Sequence, residues 1–130
     1  MKYIVSLLVA FPALAFASEL PLSNYIKMQE SLAADNMKGA LEAHKVICDK
    51  EITSYKKVYK DCGKSFKDIA DLRESFKVLS KVYIDHASKK ELESYMKATC
   101  PMAGANWIQK NGPITNPYYG ASMLKCGEKI

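Results

Sequence analysis

Ile69, Leu72, Phe76, Leu79 and Tyr83 recur at steps of three and four residues. Such a series falls on one face of an α-helix and nowhere else in regular structure. A stripe of this kind has to be covered by another apolar surface. The residues before it supply candidates. Tyr25, Met28 and Leu32 share a face over residues 23–34, and Met37, Ala40, Leu41, His44, Ile47 and Cys48 share one over the next stretch. Asp35 and Asn36 separate these two and offer an N-cap to the second. Ser65 with Asp68, and Ser88 with Glu91, have the spacing of capping boxes and mark further helix starts. The second of these opens a short helix holding Leu92, Tyr95 and Met96, which Pro101 stops. The expectation is all-α. A small up-and-down helical bundle spans residues 23–98, followed by an irregular cap over 99–130 that is rich in Gly, Pro, Asn and aromatics.

The chain has 130 residues, enough for one domain. Its start reads as a secretory signal. Lys2 is the positive end, Ile4 to Leu14 the apolar run, and Ala15-Phe16-Ala17 the small-residue cleavage site. The domain is then Ser18–Ile130, the run being too short for a membrane span. Losing Lys2 lowers the net charge from +5 to +4. That is mild, and no Arg/Lys cluster alternates with aromatics, so nucleic-acid binding is unsupported. Export implies a periplasmic or secreted protein in an oxidising compartment, where four cysteines favour disulfides. Enzyme signatures are missing from the sequence: there is no G-x-S-x-G, no C-x-x-C and no glycine-rich phosphate loop. The chain is read as non-enzymatic.

The cysteines divide into two sets. Cys48 and Cys62 are fourteen residues apart. In one continuous helix they would stand about 21 Å apart, whereas disulfide Cα atoms lie within about 7 Å. A Cys48–Cys62 disulfide therefore needs a chain reversal within "DKEITSYKK". Cys100 and Cys126 each have a methionine nearby, Met102 and Met123. If Pro101 holds Cys100-Pro101-Met102 extended, both sulfurs face one way. One helical turn would do the same for Met123 and Cys126. Two thiolates and two thioethers suit copper(I), while zinc takes thioethers badly. The competing reading is a Cys100–Cys126 staple with the methionines as core filler. An oxidised apo form and a reduced, copper-loaded form can also alternate. His86, at the end of the third stripe, and Trp107 are secondary candidates, the first as a further ligand and the second as a shield against water. His44 reads as a satisfied core histidine, and Tyr118 and Tyr119 as packed rings with exposed hydroxyls.

"DIADLRESFKVLSK" (68–81), "CPMA" (100–103), Trp107 and "ITNPYYGASMLKCG" (114–127) together resemble an exported bacterial domain family of unnamed function. That family occurs free-standing in the periplasm and fused to the adaptor (membrane fusion) subunits of copper/silver efflux pumps. The likeness covers most of the chain after residue 17, and its C-terminal motif is the specific part. It implies a place in periplasmic copper handling and a heavy-metal efflux adaptor, or another periplasmic copper protein, as partner. Its paired C-P-M and M-L-x-C-G motifs fall on Cys100, Pro101, Met102, Met123, Leu124, Cys126 and Gly127. Cys48 and Cys62 are additional to that pattern.

Overall fold

The structure, a computed structural model, describes residues 19–130. The signal reading of residues 1–17 lies outside them. Four α-helices are followed by three short strands: α1 (Ser23–Ala33), α2 (Met37–Lys50), α3 (Ile69–His86), α4 (Lys89–Leu92), β1 (Tyr95–Cys100), β2 (Ala105–Lys110) and β3 (Glu128–Lys129). The strands form an antiparallel sheet in the order β2-β1-β3. The architecture is thus mixed α and β, and the all-α expectation is corrected.

The correction is confined to residues 93–130. α4 is a single turn, capped as expected by the Ser88 side chain, which accepts from the Glu91 N–H. Beyond it the chain turns extended. Met96, Ala98 and Cys100 are buried, while Lys97 is exposed and Tyr95 and Thr99 are half-buried. That is the two-residue alternation of a half-covered strand. Tyr95 and Met96 extend a helical pattern from Leu92 only if this alternation is overlooked. β2 completes the hairpin, with Ala98 opposite Trp107 and Cys100 opposite Ala105.

The helical half follows its periodicity. Asn36 caps α2, its side chain accepting from the Gly39 N–H at 2.9 Å. The cap of α3 is Asp68 itself, which accepts from the Asp71 N–H at 2.8 Å. Leu72, Phe76, Leu79 and Tyr83 are fully buried, each contributing about 1.5–3 kcal/mol of apolar burial. α1 packs on α2, and α3 packs on β2 and α1. Tyr25 joins three elements: its hydroxyl shares a hydrogen bond with Ser80 of α3 at 2.7 Å and accepts from the Ile108 N–H of β2 at 3.1 Å. Its ring lies 5.1 Å from Phe76 and 4.8 Å from Tyr83, centroid to centroid. Among the described residues, the buried core cluster runs from Leu20 to Tyr118. Among the described residues no helix is long and apolar enough to cross a membrane.

α2 ends at Lys50, and the chain reverses through a 3₁₀ turn at Thr53–Tyr55. This is the reversal the disulfide requires. Cys48 and Cys62 are bonded, with Cα atoms 5.5 Å apart. Beneath the bond runs a buried polar chain. His44 Nε2 shares a hydrogen bond with the Tyr59 hydroxyl at 2.6 Å, and that hydroxyl shares another with Ser75 at 2.7 Å. His44 is thus a satisfied core histidine. Phe66 meets its ring edge-on at 5.2 Å.

Candidate functional site

β1 ends at Cys100, and its sulfur is fully buried beneath the hairpin. The chain then turns: the Gly104 N–H donates to the Cys100 carbonyl at 2.9 Å and to that of Pro101 at 3.2 Å. Cys-Pro-Met is therefore the start of a turn, not an extended run. The turn has two effects. It puts Met102 outward, 66% exposed. It also directs backbone N–H groups at the Cys100 sulfur: Ala103 donates to Sγ at 3.4 Å, and Met102 adds a second bond.

The partner sulfur arrives from the other end of the cap. Residues 114–127 loop over the sheet, and Asn116 fastens the loop at its base. This buried side chain donates to the Cys126 carbonyl at 2.7 Å and accepts from the Tyr118 N–H at 2.8 Å, while its backbone N–H donates to Leu124 at 2.8 Å. Met123 to Cys126 is a tight turn, closed by the Cys126 N–H on the Met123 carbonyl at 3.0 Å. Gly127 follows with φ 133°. A Cβ there would stand 2.7 Å from the Thr99 carbonyl and 2.9 Å from the Trp107 ring, so only glycine lets the segment lie this close to β1 and β2.

The outcome is a pair of unbonded cysteines, Sγ to Sγ 3.6 Å. A disulfide is about 2.05 Å long, so the sulfurs are in contact without a bond. The two are unequal. Cys100 is buried and Cys126 half-exposed. Burial pushes the Cys100 thiol up, but the Ala103 N–H, the Cys126 and Asn116 side chains and the Met102 N–H together outweigh it and hold it below the ordinary thiol range. Cys126 is raised, first by its hydrogen bond to Cys100, then by burial and by the charge on Cys100. Of the two, Cys100 gives up its proton more readily and Cys126 less readily. The thiolate is the nucleophilic and metal-binding form of cysteine.

Of the residues expected at the site, Cys100 and Cys126 meet. Met102 and Met123 stand on the two turns that carry them, Met102 exposed and Met123 half-buried. Trp107 is fully buried, its Nε1–H donating to Gln109 Oε1 at 2.9 Å, and its ring backs Gly127. It therefore backs the segment that follows Cys126. His86 is exposed at the end of α3, its ring 4.6 Å from that of Tyr55 in the disulfide loop. Tyr118 departs from expectation: it is buried, and its hydroxyl donates to the Asn106 carbonyl at 2.6 Å. Among the described residues no group of three or more His, Cys, Asp or Glu side chains is placed to hold a metal. A metal here would rest on two thiolates and thioethers. Asn116 and the N–H groups of residues 102 and 103 were not picked out from sequence. "Asn-Pro" is a recognisable turn signal, but what the side chain clamps depends on the loop's return. No family model, curated protein or solved structure matches this chain.

Proposed function

We propose that the domain is a non-enzymatic, exported soft-metal protein that holds or relays copper(I), in the periplasm and in company with a heavy-metal efflux adaptor. The observation that carries this reading is the unbonded Cys100–Cys126 pair, sulfurs 3.6 Å apart, with N–H donors trained on Cys100. Thiolates close enough to touch one ion and half-open to solvent suit a soft monovalent cation. Met102 and Met123 are the thioether donors in this reading. Each sits within three residues of a cysteine on an accessible turn, where a change of rotamer can bring sulfur to the centre. The resemblance of residues 100–103 and 114–127 to the efflux-associated family supports the same chemistry.

The second reading is a Cys100–Cys126 staple in a non-catalytic interaction module of the cell envelope. The sulfur contact favours it too, since a closure of about 1.5 Å would make the bond. Forming it releases two protons and two electrons to an external oxidant. Chelator competition with copper(I) under anaerobic, reducing conditions separates the two. Wild type should bind with defined stoichiometry. Cys100→Ser/Cys126→Ser should lose binding, and Met102→Leu/Met123→Leu should weaken it at least tenfold with the fold intact. Absence of binding by reduced wild type would favour the staple. An unchanged double-Leu variant would reduce the site to two cysteines.

A further inference from the structure

The loop strapped by the disulfide has a surface unlike the rest of the molecule. Residues 53–67 carry Lys56, Lys57, Lys60, Lys64 and Lys67 against the single Asp61. The chain's charge excess is +5, and this segment of fifteen residues accounts for +4 of it. Two acids on its flanks are engaged elsewhere, and a third neutralises one of its lysines. Asp49 pairs with Lys45, Glu51 accepts from Tyr83 and Asn24, and Asp71 takes Lys64. Among the described residues, Lys56, Lys57 and Lys60 make no ion pair. In their midst stands Val58, 58% exposed.

The loop is anchored beneath this surface. Ile52, Tyr55 and Tyr59 are buried on either side of the tip. The Tyr59 hydroxyl is fixed by His44 and Ser75, and the Cys48–Cys62 bond closes the loop. Exposed lysines on both sides of one exposed apolar side chain match a bilayer surface, where phosphates lie outside and hydrocarbon within. It fits nucleic acid poorly. The loop's tyrosines are buried and offer no stacking face. Fork-like phosphate recognition uses arginine, and the one arginine, Arg73, is consumed by Asp35 and the carbonyls of Leu32 and Pro117.

We propose that loop 53–67 docks the domain on anionic phospholipid bilayers, with Lys56, Lys57 and Lys60 on the headgroup phosphates and Val58 at the acyl boundary. The inference is independent of the copper reading. Co-sedimentation of Ser18–Ile130 with vesicles tests it. Wild type should bind vesicles of phosphatidylcholine mixed with phosphatidylglycerol, release as salt rises, and ignore pure phosphatidylcholine. Inorganic phosphate at matched ionic strength should not compete. Lys56→Gln/Lys57→Gln/Lys60→Gln should bind about 100-fold more weakly, and Val58→Ser several-fold more weakly, both with wild-type circular dichroism. No binding by wild type at low salt, equal binding to neutral vesicles, or an unaffected triple variant overturns the proposal. Selective capture of an acidic protein in place of the vesicles would overturn it too.

Discussion

His44 shows how one buried side chain sets a pH dependence. Burial favours its neutral form and pulls its pKa below the ordinary imidazole value, with Asp61 acting weakly in the opposite direction. The unfolded chain therefore takes up this proton at a higher pH than the folded one. Stability from His44 is complete above its unfolded pKa of about 6.5 and is lost as the pH falls from there towards its lower folded value. The urea midpoint should fall on mild acidification, and His44→Asn should flatten that part of the profile. A wild-type midpoint that rises on acidification through this range would contradict the assignment. At the same scale, the cysteine pair was legible in sequence because two Cys-Met pairs recur in one segment. The N–H groups around Cys100 were not, because they come from backbone geometry. Proline restrains its own φ, but whether the chain then extends or turns is decided by Gly104 and by the strand it must meet.

At the scale of elements, the helices were readable because each repeats its apolar residues over several turns. β1 was not. Six residues are too few to outweigh a capping box and an apparent i, i+3, i+4 set ending at Met96, and strand pairing depends on partners distant in sequence. The cap proves to be a hairpin and a fastened loop. Gly127 is its narrowest point. Gly127→Ala should destabilise the domain by about 1–3 kcal/mol, since alanine is strained at this φ. Its Cβ would also push against Thr99 and Trp107. The displacement would separate Cys126 from Cys100, so copper(I) affinity should fall in parallel with the denaturation midpoint. A variant of wild-type stability and affinity would show that the approach of this segment is not constrained as described.

On the scale of the whole molecule, the two cysteine pairs sit in different settings. Cys48–Cys62 straps the lysine-rich loop onto the helical core, while Cys100 and Cys126 close the cap against the sheet. Arg73 links these halves: from α3 it donates to the Leu32 carbonyl at the end of α1, to Asp35, and to Pro117 in the cap. The disulfide closes a separation of 14 residues, for which the chain-entropy model gives about 3 kcal/mol. Cys48→Ala/Cys62→Ala should lower unfolding free energy by about that amount. It should leave copper(I) binding at Cys100 and Cys126 unchanged. Loss of binding in that variant would mean that the pairs are not independent.

The copper reading is tested most directly by X-ray absorption at the copper edge on reduced, copper(I)-loaded Ser18–Ile130. The two thiolates with their flanking thioethers predict a first shell made only of sulfur, lost in Cys100→Ser/Cys126→Ser. A shell containing nitrogen, which would implicate His44 or His86, or a reduced protein that retains no copper, would contradict it.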